Sequence, residues 1–573
     1  MQHRTITALP VVGAIAILIA TACTTGGQTT ASPTAAASEQ PQKGGRIIEG
    51  TISDIATMQP ILVNDTASGR ITDLIYENLL IQDPQNGETK PRVATFSQST
   101  DGLTYTYEIN AKANWSDGKP IIADDVLTAL EGYGKSKKTV RKSNFQDVVG
   151  FKDYSDGKAT TIPGFKADSS NPKKFSITLT KVSCPAINDL NIKPLPTQIF
   201  GKYVQDSSKD EIDSAPENTQ PTVFSGQFKF VEWRKGDQVI LSKNDTYWQG
   251  APNVDQYIYK VLANQTAVAN ALKTGEITFY VGLQAKDLAD MQTVDSVQIQ
   301  KYPALGYSFI GWNTASPTAV GLGDKRVRQA LAFGIDMDQV IKAVVFGEAT
   351  KNLAHHVKVQ WAYPTSNLNQ YTYDKNKALQ LLKDAGWTPG ADGILQNAQG
   401  KKFNLTISTN SGNTERETLA QVAAEQYKAL GINAKAAPEA FQGLVTKLTT
   451  GDSTLEATII GWSLTGDVDP YSIWHSSNIP DPASGKTGFG FTYFKDPAMD
   501  KAIEEARNPS NGDCSTAARK KQYETFNQIL NENQPYNFGY ENNTIAVSQK
   551  TMHNFAPAPY STIYNAFQWW VKQ

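Results

Sequence analysis

Among the 573 residues of this chain, the groups able to do bond chemistry are few and poorly spaced for it. Three cysteines and five histidines leave little from which to build a zinc ribbon or a multi-metal site. His355-His356 is the most suggestive pair, but neighbours on a strand point to opposite faces. Only His475 and His553 remain beside them once the leader is set aside, so no metal is assigned. The sequence contains no His-Glu-x-x-His zinc pair and no Gly-x-Ser-x-Gly nucleophile elbow. Gly461-Trp-Ser463-Leu-Thr-Gly466 approaches the elbow but carries one residue too many, and Asp124-Asp125 reads as the acidic start of a helix. An extracytoplasmic hydrolase therefore lacks its hardware, and neither a catalytic residue nor a cofactor is assigned.

The cysteines are more informative. Ile6 to Ala22 is an uncharged, mostly apolar run behind Arg4, ending in Ala20-Thr21-Ala22-Cys23. This is the pattern of a signal peptide over 1–22, too short and too interrupted by Pro10 and Gly13 to span a bilayer. Small residues directly before a cysteine resemble a lipobox, which makes Cys23 the lipidated first residue of the mature chain, although Ala20 stands where Leu is preferred. Ordinary cleavage near Ala22 is the alternative. Residues 24–43 are rich in Thr, Ala, Ser, Gly and Pro and form a flexible tether, so that 23–43 reads as lipidated Cys plus leash. Cys184 and Cys514 then remain as an even pair outside the cytoplasm, which points to a disulfide; two separately buried thiols are the alternative.

Length and composition set the frame in which these residues must be held. A chain of this size with 40% hydrophobic residues should fold as two or three domains. With 54 basic against 56 acidic side chains and a pI near 6.3, nothing suggests nucleic acid as the partner. The body reads as an α/β protein. Strands are expected at the Ile-rich Gly44 segment, Leu103–Ile109, Gln227–Trp233, Gln238–Lys243, Phe403–Thr409, Ile432–Ala436 and Glu456–Trp462. Helices are expected at Ala67–Leu80, Ala123–Tyr133, Thr266–Leu272 before Gly275, Val327–Phe346, Lys375–Ala385 before Gly386, and Glu415–Leu430 before Gly431. Interleaved elements of this kind favour mixed sheets flanked by helices.

Several ordered blocks carry a resemblance. Asp101-Gly-Leu-Thr-Tyr-Thr-Tyr-Glu-Ile109, Trp115-Ser-Asp-Gly118, Pro120 and Ala123-Asp-Asp-Val126 are followed by the Gly226 to Pro252 block with its Asn244-Asp-Thr-Tyr-Trp248. Then come Ala271 to Ile277, Asp324 to Leu331 and Ala378 to Trp387. This series resembles the extracytoplasmic solute-binding proteins of family five, the oligopeptide, dipeptide and nickel group of ABC importers. The resemblance implies a type II periplasmic-binding-protein-like fold of three domains, with two lobes closing on a ligand about a hinge. Domain I is expected over 44–76, 191–306 and 537–573, domain II over 77–190 and domain III over 307–536, with the crossings near Gly306–Asn313 and Pro535–Tyr540. It also implies a non-catalytic, monomeric binding protein, held at the outer face of the cell membrane. It would capture peptides, above all oligopeptides, and deliver them to ABC permease subunits with cytoplasmic ATPases. Oligosaccharides, opine-like compounds and nickel chelates are the other ligands known for the family.

Site residues follow from the same resemblance. Peptide-binding relatives carry an Asp for the ligand amine between a Trp and an Asp-Pro-like pair. Here that interval runs from Trp462 to Asp469-Pro470 and is one residue longer than in some relatives, so Thr465 or Gly466 falls at the Asp position and Asp467 is the nearest carboxylate. Trp462 could cover a ligand side chain with its apolar body. Asn64, Asp65 and Thr66 lie where relatives run an extended edge that bonds the ligand backbone. Tyr105 and Tyr107 are expected to pack within domain II, and Trp312 and Asn313 to serve the hinge.

Overall fold

A computed structural model describes residues 40–204, 211–366, 368–464 and 466–573; the signal peptide, Cys23, the tether up to Glu39, and Thr465 lie outside the described residues. Residues 41–573 form one compact unit. No helix among the described residues is long and apolar enough to cross a membrane.

One strand organises the molecule. Tyr536–Gln549 is fourteen residues long, and its two halves belong to different sheets. Its first half pairs antiparallel with Gly306–Trp312 and with Ala349–Lys351, and its second half with Val297–Pro303 and Phe279–Val281. The chain thus changes sheet twice, at Ala304–Leu305 and at Asn542–Asn543. These crossings lie side by side, tied by the Ala304 amide donating to the Asn542 carbonyl at 3.0 Å. Gly539 sits where the register shifts. Its φ is +58°, and a Cβ there would lie 2.3 Å from the Ser308 carbonyl, so this close approach needs glycine.

On one side, which we call lobe 1, the parallel pair Arg46–Thr51 and Gln256–Val261 extends through the antiparallel strands Gln238–Lys243 and Phe228–Arg234. A separate four-stranded antiparallel sheet contains Ala94–Gln98, Thr104–Ile109, Lys174–Thr178 and Phe165–Ala167. In Thr104–Ile109 the alternation Tyr105, Tyr107, Ile109 is buried, and Tyr107 stacks on Phe175 with ring centroids 5.1 Å apart. One continuous apolar core joins the two sheets, running from Ile47 and Ile71 through Trp115 and Tyr107 to Trp569. The two sheets therefore share one core.

Lobe 2 is a mixed sheet. Asn404–Asn410 runs parallel to both Asn433–Glu439 and Ala457–Ser463, linked by helices Thr414–Lys428 and Phe441–Thr450, and Gly306–Trp312 pairs antiparallel on the far side. Gly306–Trp312 is buried at every residue, as befits a strand covered on both faces. Trp312 and Asn313 lie inside this lobe rather than at a crossing: Trp312 packs edge-on against Tyr427, and Asn313 bonds the backbone of Leu455 and Glu456.

Two helix expectations are corrected by packing. Val327–Phe346 is two helices, Lys325–Phe333 and Met337–Ala343. The break falls at Gly334, where a Cβ would meet Leu430 at 2.5 Å, and the Asp336 side chain caps the second helix by accepting from the Gln339 amide. The first helix of lobe 1 is Thr66–Ile75, and Leu80 already belongs to a short strand. The helix ends where the Leu74–Ile75 backbone is met by Gly226, whose absent Cβ would lie 2.4 Å from the Leu74 carbonyl.

Candidate functional site

Between the lobes lies a cleft of about 1050 Å³. Asn64, Asp65, Thr66, Trp462 and Asp467 all line it. Asp65 caps helix Thr66–Ile75, accepting from the Ser68 amide at 2.8 Å and its hydroxyl at 2.7 Å, so this segment is a helix start rather than a free extended edge. Burial nevertheless raises the Asp65 carboxyl, with those bonds acting the other way. Trp462 is half-buried at the penultimate position of strand Ala457–Ser463, edge-on to Phe489 and stacked near Phe491, and its indole N–H donates to the Tyr536 hydroxyl at 3.3 Å. Ile460, Leu464 and Ile473 continue an apolar wall beside it.

Gly466 is not part of the lining. Its amide donates to Gln82 Oε1 at 3.0 Å, and a Cβ there would press on the Gln82 amide at 2.6 Å, so the loop meets lobe 1 through bare backbone. Asp467 is engaged as well. Asn188 Nδ2 of lobe 1 donates to it at 2.8 Å, the Asp469 amide at 2.7 Å, and Arg519 approaches at 3.4 Å.

Behind Asp467 stands an ionic cluster that reasoning from sequence did not find. Arg507, 2% exposed, pairs with Asp469 of its own lobe and with Asp189 of lobe 1, and lies over the Tyr471 ring at 5.0 Å. Three carboxylates face two guanidiniums, leaving an excess of one negative charge when all are ionised. Burial pushes the Asp189 carboxyl up to about 7 against the opposing pull of Arg507, and burial likewise raises Asp469. Further along, Glu415 accepts from the Tyr540 hydroxyl at 2.8 Å and from Asn542 at 3.1 Å, and Arg416 donates to Asn410 at 2.9 Å. Burial lowers the Arg416 pKa.

Among the described residues the lobes meet at several points, one of them Thr487, whose hydroxyl lies 3.1 Å from the carbonyls of Lys138 and Thr139. At the seam with the four-stranded sheet, the Cys184 amide donates to the Arg507 carbonyl at 2.8 Å and Asn508 donates to the Val182 carbonyl at 3.0 Å. There Cys184 and Cys514 are joined as a disulfide, with Cα atoms 5.3 Å apart. Elsewhere the larger sheet of lobe 1 touches lobe 2 through Gln442 donating to the Asp54 carbonyl at 2.9 Å and the Gln265 amide donating to the Gly412 carbonyl at 3.2 Å.

The groups first considered for chemistry are structural. His355 and His356 are buried off any strand. His355 Nδ1 meets the Tyr307 hydroxyl and the Trp474 indole, while His356 bonds the Val468 carbonyl and Asn527. Burial lowers both imidazole pKa values, and no metal-binding cluster occurs among the described residues. Gly461 and Ser463 lie within a paired strand, not at a strand-to-helix elbow. Asp125 accepts from Trp115, Ile122 and Thr197 and so fastens its helix.

Comparison with known proteins places this geometry. The model of the bacterial extracellular solute-binding proteins, family 5 Middle, matches residues 88–483. The oligopeptide-binding protein AppA of Bacillus subtilis is 29% identical over 536 residues, covering 93% of this chain and 92% of that protein. Its structure in complex with a nonapeptide superposes with a TM-score of 0.84 at 28% identity, over 93% of this chain and 100% of that one. NikZ from Campylobacter jejuni, solved with Ni(L-His), shares the fold at a TM-score of 0.77 and 23% identity, over 92% and 99% of the two chains. The fold is the type II periplasmic-binding fold.

Proposed function

Because the chain belongs to the family 5 bacterial extracellular solute-binding proteins of ABC importers, we propose that it captures oligopeptides in its interlobe cleft and presents them to such an importer. The observation that carries this reading is the cleft itself. At about 1050 Å³ it lies just above the ~300–1,000 Å³ typical of small-molecule sites, and it is lined by polar and apolar residues alike. Polar groups in such a cleft can bond a peptide backbone while its apolar walls accept side chains. Closure would be a population shift between open and closed lobes, with no bond made or broken. The likeness to AppA supports a peptide over the nickel chelate of NikZ, a protein whose identity to this chain speaks for fold alone.

On this reading 77–190 makes domain II, and the crossings at Ala304–Leu305 and Asn542–Asn543 move the expected boundaries at 306 and 537, so that 44–76, 191–304 and 543–573 make domain I and 305–542 domain III. Asp467 receives the ligand ammonium, favoured by the negative charge that the cluster with Asp189 and Asp469 carries once Asp189 ionises. Trp462 covers a ligand side chain, and Asn64, Asp65 and Thr66 line the opposite wall. A lipid on Cys23 and the polar leash behind it would hold the monomeric body at the outer face of the membrane. Native mass spectrometry of residues 44–573 tests the ligand class. A ladder of bound masses that fragment into amino acids is expected; a single non-peptide mass would sink the peptide assignment while leaving the importer role.

A further inference from the structure

The Cys184–Cys514 disulfide joins a loop of lobe 1, just after strand Lys174–Thr178, to a loop of lobe 2, between helices Pro497–Arg507 and Thr516–Asn533. It is therefore a third covalent link between bodies already joined by the two crossings at Ala304–Leu305 and Asn542–Asn543. Those crossings lie side by side in one hydrogen-bonded ribbon and act as a single hinge point.

A disulfide tolerates a Cα separation of at most about 6.8 Å, so from 5.3 Å the pair has roughly 1.5 Å of travel. The four-stranded sheet cannot give way instead, because one apolar core binds it to the larger sheet of lobe 1. Lobe 2 is equally committed: the helices flanking Cys514 bury Met499, Ile503, Phe526 and Leu530 in its own core. A gape that widened the whole cleft evenly would tear Cys184 from Cys514. One rotation remains, about the line through the crossing ribbon and the disulfide.

We infer that the Cys184–Cys514 disulfide is a second hinge pin, which keeps the seam around Arg507 and Asp189 shut and confines opening to the rim where Gln265 meets Gly412 and Gln442 meets Asp54. Ligand then enters and leaves on that side only. The seam's hydrogen bonds, Cys184 to Arg507 and Asn508 to Val182, persist in the open state, whereas the few bonds of the other rim break. The pin rests on there being a ligand cleft, as proposed above, but not on the ligand being a peptide.

Two measurements test it. In unsubstituted protein freed of ligand by refolding from guanidinium, amide hydrogen exchange is expected to be faster at Gln265 than in the ligand-bound protein and unchanged at Cys184. Exchange rising at Cys184 as much as at Gln265 would overturn the pin. Small-angle scattering then compares ligand-free protein with the Cys184→Ser/Cys514→Ser double variant. A larger radius of gyration is expected in the variant, with release of a fluorescent nonapeptide faster by about tenfold; equal radii would overturn the proposal. If neither protein binds the nonapeptide, the peptide reading fails while the exchange and scattering comparisons still decide the pin.

Discussion

Arg507 of lobe 2 forms a buried ion pair with Asp189 of lobe 1, across a sequence distance of 318 residues. Asp469 completes the cluster from Arg507's own side. A guanidinium so placed costs desolvation on both lobes and is offset only while both carboxylates stay in reach.

Removing it should therefore be expensive. Arg507→Met leaves Asp189 and Asp469 buried without their cation, and a loss of about 3–5 kcal/mol is expected from denaturant unfolding. Asp189→Asn keeps Arg507 paired with Asp469 and should cost less. Equal losses from the two variants would contradict the cluster described above.

The raised Asp189 carboxyl makes the same cluster sensitive to pH. Folded, it titrates near 7; unfolded, near its ordinary 3.8, so between those values the folded protein holds a proton that the unfolded chain has lost. Its contribution to stability thus falls as pH rises from about 4 to 7 and is constant above. If the ligand brings an ammonium to this end of the cleft, affinity should run the other way and rise around the folded value of about 7, as Asp189 ionises. Calorimetric titration with a nonapeptide between pH 5 and 8 checks this, and Asp189→Asn should flatten the dependence.

Asp467→Asn preserves shape and removes charge. A nonapeptide with a free amine is expected to lose about 1.5–3 kcal/mol of affinity, the scale of a hydrogen bond to a charged group. Its N-acetylated form should lose little. Equal losses for the two peptides would show that Asp467 does not meet the amine.

Gly539→Ala introduces a Cβ 2.3 Å from the Ser308 carbonyl at a φ of +58°. Destabilisation of about 2 kcal/mol or more is expected in thermal unfolding. Gly512, also at positive φ but with open space around it, supplies the control. Its alanine variant should cost only about 1 kcal/mol.

What could be read from the sequence was local. Gly275 and Gly386 follow helices that end one or two residues before them, and Tyr105, Tyr107 and Ile109 announce a half-buried strand by alternation. The helix pattern over 327–346 was legible, but its break was not, because Gly334 is required by Leu430, almost a hundred residues away. The cluster at the seam was hidden for the same reason. Asp189, Asp469, Arg507 and Arg519 look like ordinary surface charges until folding brings them together. Asp467 could be singled out through the resemblance, as the carboxylate nearest the position where relatives carry an Asp, but its donors Asn188 and Arg519 could not. Positions within one element carry their signal in periodicity; partners from different elements carry none.

The strand Tyr536–Gln549 serves both sheets in one continuous run, its register shift at Gly539 lying within the first half. Inserting one residue near its midpoint would turn every later side chain to the opposite face, exchanging inside for outside in one lobe while leaving the other in phase. Surface loops of this chain could lengthen over evolutionary time at little cost, whereas this segment must keep its residue count. Lineages descending from such a protein should show length changes almost anywhere sooner than here, making the strand a fixed ruler against which the rest of the sequence drifts.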